Sequence, residues 1–191
     1  MPSADRPSAP GAKLATALEQ LARARRMRRQ ALATARGVSP LQLDVLTVLA
    51  AGAPPEPTIG LLARELGVAQ PTITDAVAAL ERKGHVVREG RPGTRHVLVR
   101  ATAAGRELGE AEDPLAQAAG RLEPELRDAA LEAALTMIAA LVDDGTITVA
   151  RTCLTCRFHR RDDVGSHCDL LKVPLPPGDL RVNCPEHRSA A

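Results

Sequence analysis

The chain has 191 residues, a formal net charge of +2 and 45% hydrophobic residues, among which Phe158 is the only aromatic. This length and composition fit one domain with an appendage, built from closely packed helices rich in alanine and leucine. The sequence has no hydrophobic run long enough to cross a bilayer and no signal-peptide core, so we expect a cytoplasmic protein without membrane contact. It also has no nucleophile–base pair and no phosphate-binding loop, so we expect no enzymatic activity.

The first part of the chain predicts a disordered N-terminal segment followed by two helices. Residues 1–10 contain three prolines and few apolar side chains, which predicts a disordered start. From residue 11 to residue 36, leucines recur at helical spacing and predict a long helix. Arginines between positions 23 and 29 lie on several sides of this helix, where they are either solvated or in contact with phosphates. Ser39 followed by Pro40 predicts the capped start of a second, buried helix.

The middle of the chain predicts two short helices and a hairpin. The first helix stops at Gly67, and the second has Pro71 at its start and Gly84 at its end, the usual proline-first, glycine-last asymmetry. Two valine-rich segments, 85–89 and 96–100, flank a basic turn rich in glycine, which predicts a β-hairpin. We therefore predict a mainly α fold with a small β-wing, namely a winged helix-turn-helix that binds DNA.

Short polar side chains on the first turn of the second helix can reach base edges in the major groove. Asp75 can accept a hydrogen bond from cytosine N4, and arginines on the wing suit the negative potential of the minor groove. A winged helix used only for protein contacts is the alternative, but the basic wing favours DNA. The predicted DNA-binding residues are Gln70, Pro71, Thr72, Thr74, Asp75, Arg91 and Arg95.

Beyond the wing, Thr102 caps a further helix, and Asp113 followed by Pro114 interrupts the helical pattern. Residues 122–142 predict a long helix with one apolar stripe, and a second copy of the chain is the simplest partner for it. We therefore predict a homodimer formed by helices 11–36 and 122–142. The residues of the stripe are Leu131, Leu135, Ile138 and Val142.

Residues 39–109 resemble the winged-helix domain of MarR-type transcriptional regulators, and residues 11–145 fit the layout of that family. The resemblance implies a dimeric DNA-binding regulator, most often a repressor, with a pseudo-palindromic operator on double-stranded DNA. It also implies that a small-molecule effector can enter between the winged domain and the dimer helices. Two positions depart from the family pattern: Asp75 replaces a frequent arginine, and Gly93 replaces a frequent acid. The matching segments are Leu61–Val68, Gln70–Thr74, Leu80–Gly84, and Arg95 followed by Ala101–Gly105.

The last part of the chain, residues 151–191, predicts a separate metal-binding module after a domain spanning residues 11–150. Its cysteines follow the pattern C-x2-C-x11-C-x15-C, whose first pair can direct two thiolates at one ion from a tight turn. A loop-rich segment with few core residues gains folding free energy when it binds a metal. The predicted ligands are Cys153, Cys156, Cys168 and Cys184, with His159, His167 and His187 as alternatives.

The spacing leaves the metal open. Zinc fits three thiolates and one imidazole, with Cys184 and His187 as a C-x2-H pair. A weak similarity to high-potential iron–sulfur proteins favours instead an iron–sulfur cluster held by all four cysteines, which we place slightly ahead of zinc. Unmetallated reactive thiols are the third possibility. We thus predict a regulator whose cysteine-ligated centre senses redox state, iron or nitric oxide, and the alternative is a small-molecule-responsive regulator with a purely structural zinc.

Overall fold

The computed structural model describes residues 9–52, 54–90, 97–110 and 113–190. Within these ranges the chain forms helices around a winged-helix core, followed by a small sheet at the C-terminal end. The helices are α1 (Ala9–Ala35), α2 (Pro40–Ala50), α3 (Ile59–Leu66), α4 (Gln70–Arg82), α5 (Ala103–Gly109), α6 (Pro114–Gly120) and α7 (Pro124–Asp143). The strands are β1 (Val86–Gly90), β2 (Val97–Ala101), β3 (His159–Asp162), β4 (Gly165–Cys168) and β5 (Val173–Pro174).

The predicted helix-turn-helix is confirmed. Ser39 caps α2 through a reciprocal capping box with Gln42, and the hydroxyl of Thr58 accepts from the backbone of α3. Gly67 ends α3 in the left-handed conformation, with φ of 64°, which an L side chain rarely adopts. The apolar faces of α2, α3 and α4 then meet the hairpin in one core. Its fully buried members include Leu43, Val45, Leu46, Leu62, Ile73, Val77, Leu80 and Val99.

The predicted wing is present as an antiparallel hairpin. Strands β1 and β2 pair in register from Val86 opposite Ala101 to Gly90 opposite Val97. The backbone N–H of Val99 also donates to the carbonyl of Pro57, which ties the hairpin to the segment before α3. The tip, residues 91–96, lies outside the described residues.

Helix α5 packs against α2 and against the residue before β1 so closely that the backbones touch. A β-carbon at Gly105 would collide with the carbonyl oxygen of His85, and one at Gly109 would collide with that of Leu46. The close approach is possible because both positions are glycine. This contact gives a physical reason for the glycine that ends the family-like segment Ala101–Gly105.

Helix α1 begins at Ala9, two residues before its predicted start, whereas residues 1–8 lie outside the described ranges. Its C-terminal part packs through Ala33 onto the winged-helix core, and Arg29 pairs with Asp44 of α2. Arg25 binds Asp113, the N-cap of α6, at 2.6 Å. Some of the arginines between positions 23 and 29 are therefore held in ion pairs within the protomer.

The apolar stripe of α7 was predicted to pack against a second copy of the chain, and this is wrong for Leu131, Leu135 and Ile138. Leu135 is buried within the same chain, in a cluster with Cys153, Leu175 and Leu180 of the C-terminal segment. Leu131 and Ile138 pack against this cluster as well. The reason is that the segment supplies its own apolar side chains, which the sequence analysis assigned to a loop-rich region with few core residues.

Among the described residues, no helix is both long and apolar enough to cross a membrane.

We expect Gly105→Ala to destabilise the fold because the new methyl group meets backbone that cannot move independently. The free energy of unfolding should fall by about 1–3 kcal/mol, the usual effect of overpacking in a core. Urea unfolding followed by far-ultraviolet circular dichroism measures it. Gly120→Ala is the matched control, since nothing lies within 4 Å of a β-carbon built there. Equal stability of the two variants would contradict the proposed backbone contact.

Candidate nucleic-acid interface and metal centre

Helix α4 has one face in the core and one face in solvent. Ile73, Ala76 and Val77 are buried, whereas the predicted contact residues on the same helix are exposed. The N-cap residue Ala69 provides no side-chain hydrogen bond, so the first backbone N–H groups of α4 have no side-chain partner. The exposed predicted residues are Gln70, Pro71, Thr72, Thr74 and Asp75.

These exposed side chains are not equally free. The side-chain oxygen of Gln70 lies 3.6 Å from the position of a β-carbon on Gly60, so this side chain turns towards α3. The hydroxyl of Thr74 donates to the carbonyl of Gln70 at 3.0 Å. Thr72 and Asp75 therefore present the polar atoms that are best placed to meet a partner in solution.

The hairpin strands hold their arginines in ion pairs. Arg88 lies 3.2 Å from Glu81 of α4, and Arg100 lies 2.6 Å from Glu89 across the hairpin. Arg91 and Arg95, the predicted wing contacts, lie outside the described residues, so their role stays a prediction.

The C-terminal segment is an ordered module with its own sheet, which the sequence analysis did not predict. Strands β3, β4 and β5 form a three-stranded antiparallel sheet, in which His159 lies opposite Cys168. Cys153 and Cys156 stand at the ends of one tight turn, as predicted from their spacing. An isolated bridge between Cys156 and Ser189 closes the last residues over this turn.

The fold brings all four cysteines to one place. They line a single small cavity of about 20 Å³ together with a histidine, and none of them forms a disulfide. Thiolates and imidazole are donors for zinc and for iron–sulfur clusters, so the donor set fits a metal. The residues lining the cavity are Cys153, Cys156, His159, Cys168, Leu171, Leu175, Arg181 and Cys184.

The three candidate histidines separate clearly in the structure. His159 lines the cavity, and its Nε2 atom is buried with no hydrogen-bond partner among the described residues. His187 points elsewhere, with Nε2 at 3.0 Å from the hydroxyl and 3.2 Å from the carbonyl of Thr155. His167 lies beside two carboxylates, those of Asp162 and Asp169. An unpartnered buried nitrogen costs about 1–3 kcal/mol, so only His159 has a strong reason to take a ligand.

The cavity walls disfavour charge when the site holds no cation. Burial raises the pKa of the Cys153 and Cys184 thiols, and burial lowers the pKa of the His159 imidazole. The hydrogen bonds of the two thiols differ. Sγ of Cys153 accepts from the backbone N–H of Arg181 at 3.2 Å, whereas Sγ of Cys184 donates to the carboxylate of Glu186 at 3.3 Å and accepts from the guanidinium of Arg181 at 3.9 Å.

Within the described ranges, no group of three or more His, Cys, Asp or Glu side chains is arranged to hold a metal ion. The four thiols and the imidazole surround the cavity without meeting at one coordination centre. The metal centre and its ligand set therefore stay a prediction that fits the donor chemistry.

Arg151 connects this module to the winged helix. Its guanidinium binds the carboxylate of Glu65 on α3 at 2.6 Å, and both side chains are about 15% exposed. The backbone carbonyl of Arg151 accepts from the N–H of Cys184 at 2.9 Å. Arg151 thus contacts the cysteine cavity through its backbone and the helix before α4 through its side chain. No short motif in the sequence indicates this pair, since the two residues are 86 positions apart.

Comparisons with known proteins agree with the fold described above. Residues 36–95 match the sequence model of the MarR family. The DNA complex of MepR from Staphylococcus aureus shares the fold with a TM-score of 0.53 at 18% identity, over 67% of this chain and 97% of that chain. A MepR variant from a multidrug resistant clinical isolate gives a TM-score of 0.57 at 19% identity, over 67% of this chain and 96% of that chain.

A further crystal structure of MepR, a transcription regulator of the Staphylococcus aureus multidrug efflux pump MepA, gives a TM-score of 0.51 at 18% identity, over 66% of this chain and 97% of that chain. No curated protein sequence matches the chain. Residues 36–95 thus match the MarR family model, and the described winged helix has the fold of the MepR structures.

Proposed function

We propose that this chain is a homodimeric, MarR-like regulator of transcription, most simply a repressor, that binds a pseudo-palindromic operator in the cytoplasm. The observation that carries the proposal is the exposed polar first turn of α4. Thr72 and Asp75 project from a helix whose opposite side is locked in the core by Ile73 and Val77. The positive end of the helix dipole favours a phosphate nearby, and the N-cap residue Ala69 provides no side-chain hydrogen bond there. MepR, which shares the fold, has been crystallised with DNA.

The exposed leucines of α1 support the dimer. Leu14, Leu18 and Leu21 are 39–49% exposed and recur at helical spacing on the part of α1 that projects beyond the winged helix. Leu126 of α7 is 58% exposed. A second copy would cover these side chains and hold the two α4 helices one DNA turn apart, about 34 Å. Leu131, Leu135 and Ile138 of α7 face the module of the same chain, so the dimer surface is smaller than the sequence suggested.

Selection of bound fragments from genomic DNA tests this proposal. The purified protein should sediment as a dimer and enrich fragments with inverted half-sites about 10 base pairs apart, centre to centre. A monomer that enriches no sequence at low salt would overturn the assignment.

We expect Arg95→Ala to weaken binding to all DNA sequences because a wing arginine neutralises a phosphate or enters the minor groove. The dependence of log K on log salt should become shallower by about one unit. Fluorescence anisotropy of a labelled operator over a salt series measures both effects. Arg121→Ala is the control, since that residue lies at the exposed end of α6. An unchanged slope in the Arg95 variant would remove the wing from the mechanism.

The cysteine module is proposed to be a metal centre that alters DNA binding when its metal is lost or oxidised. Its supports are the shared cavity of the four cysteines and two connections to the rest of the chain. Leu175 and Leu180 pack on α7, and Arg151 joins the cavity to Glu65 of α3. A change at Cys184 can therefore pass through the Arg151 backbone to the helix-turn-helix.

Releasing the metal should change operator affinity about 5–150-fold, the usual range of coupling between two sites. The change should be much smaller in Arg151→Ala, since that variant lacks the ion pair with Glu65. Anisotropy titrations of metal-loaded and chelator-treated protein measure the coupling, and Arg188→Ala serves as a control because that side chain is exposed on the same module. Equal affinity for the operator with and without metal would show that the module has only a structural role.

The second candidate, a small-molecule-responsive regulator with a purely structural zinc, has its own support. A cleft of about 290 Å³ lies between the loop before α3, the hairpin and α5. Its lining combines Pro54, Pro57 and Val99 with Arg106 and the Arg100–Glu89 ion pair, a mixture of apolar and polar groups suited to a small molecule. The metal-release experiment decides between the two candidates.

A further inference from the structure

The cysteine cavity has five soft or borderline donors, whereas a tetrahedral ion takes four. This inference rests on the metal centre proposed above and concerns which donors hold the ion. The spacing of the cysteines alone favoured a four-thiolate set, with histidine as an alternative. The contacts of the five donors point to a different set.

His159 has the strongest reason to be a ligand. Its Nε2 atom is buried at the cavity and has no hydrogen-bond partner among the described residues. The register of β3 and β4 places it directly opposite Cys168, on the same small sheet. The other orphaned side-chain nitrogen in the described chain, Nδ1 of His85, lies far from this module in sequence and lines none of its walls.

Cys153 and Cys184 differ in the contacts of their sulfur atoms. Sγ of Cys153 accepts from a backbone N–H, the kind of contact that orients a ligand thiolate. Sγ of Cys184 contacts two charged side chains, at 3.3 Å from the carboxylate of Glu186 and 3.9 Å from the guanidinium of Arg181, and these two side chains pair with each other at 3.1 Å. The sulfur of Cys184 is therefore already engaged by an ion pair.

The size of the cavity favours one ion. Its volume of about 20 Å³ is little more than the roughly 10–15 Å³ that one water molecule needs. A cube of four irons and four sulfides requires far more room than a single ion does. One ion therefore needs less movement of the cavity walls than the iron–sulfur cluster that the weak similarity to high-potential iron–sulfur proteins slightly favoured.

We infer that Cys153, Cys156, Cys168 and His159 hold a single zinc-like ion, and that Cys184 stays outside the ligand set. Three thiolates and one imidazole complete the tetrahedron that zinc prefers. Cys184 is then the spare donor, held by the Arg181–Glu186 ion pair and joined through its backbone N–H to Arg151.

Cobalt(II) substitution of the full-length protein tests this ligand set, because charge-transfer absorption from thiolate to cobalt reports the number of bound thiolates. Cys184→Ser should bind one cobalt per chain with unchanged charge-transfer intensity. His159→Gln should weaken metal binding by more than about 100-fold, beyond the usual effect of a residue outside the ligand set. His167→Gln is the matched control, since His167 lies on the same sheet beside carboxylates.

His159→Cys keeps the test decisive if the glutamine variant folds poorly. It should restore tight binding and raise the charge-transfer intensity from that of three thiolates to that of four. A loss of intensity in Cys184→Ser, with wild-type binding in His159→Gln, would overturn the inference and leave a four-cysteine centre. Brown protein with several irons per chain would also overturn it, whereas wild-type protein that binds neither zinc, cobalt nor iron would overturn the proposed metal centre itself.

Discussion

The burial of Leu135 against Leu175 and Leu180 makes the chain one body instead of two. This contact occupies the face of α7 that would otherwise need an external partner, and it places the cysteine turn directly beside the same cluster through Cys153. Helix α7 therefore serves two neighbours, the module on one side and solvent or a second copy on the other. Any change in the packing of the module therefore acts directly on the contacts of this helix.

The ion pair between Arg151 and Glu65 has a different part in the architecture. Mostly buried ion pairs contribute little net stability, because desolvation offsets the attraction of the charges. Such a pair instead fixes orientation, since its two charges meet only when the two elements that carry them are correctly placed. The apolar contact thus holds the module to α7, and the ion pair sets its angle to α3. Together they define the position of the helix-turn-helix relative to the long helices.

The winged helix could be predicted because its signals are local. Ser39, Thr58, Gly67 and Gly84 mark helix ends within a few residues of the features that they control, and valine-rich runs mark the hairpin. The C-terminal module could not be predicted in the same way. Its strands have two to four residues, and β3 reads His-Arg-Arg-Asp, without apolar alternation. Leu175 and Leu180 lie among prolines, where no periodicity marks them as core.

The site shows the same limit. Cysteine spacing correctly placed two thiols on one turn, but it pointed to a different histidine from the one that lines the cavity. The C-x2-H spacing favoured His187, which the fold turns to Thr155, whereas His159 reaches the cavity only because β3 pairs with β4. Strand register and the long-range pair of Arg151 with Glu65 are properties of the assembled chain and leave no trace in short motifs.

The order of these elements along the chain has a consequence for biosynthesis. The winged-helix core is complete by Leu108, whereas the cysteine cavity needs residues as late as Cys184. Domains generally fold as they emerge from the ribosome, the earlier one first. A nascent chain therefore passes through a stage in which the winged helix is formed while the thiols that follow are still open, and the proposed metal centre can assemble only after Cys184 has emerged.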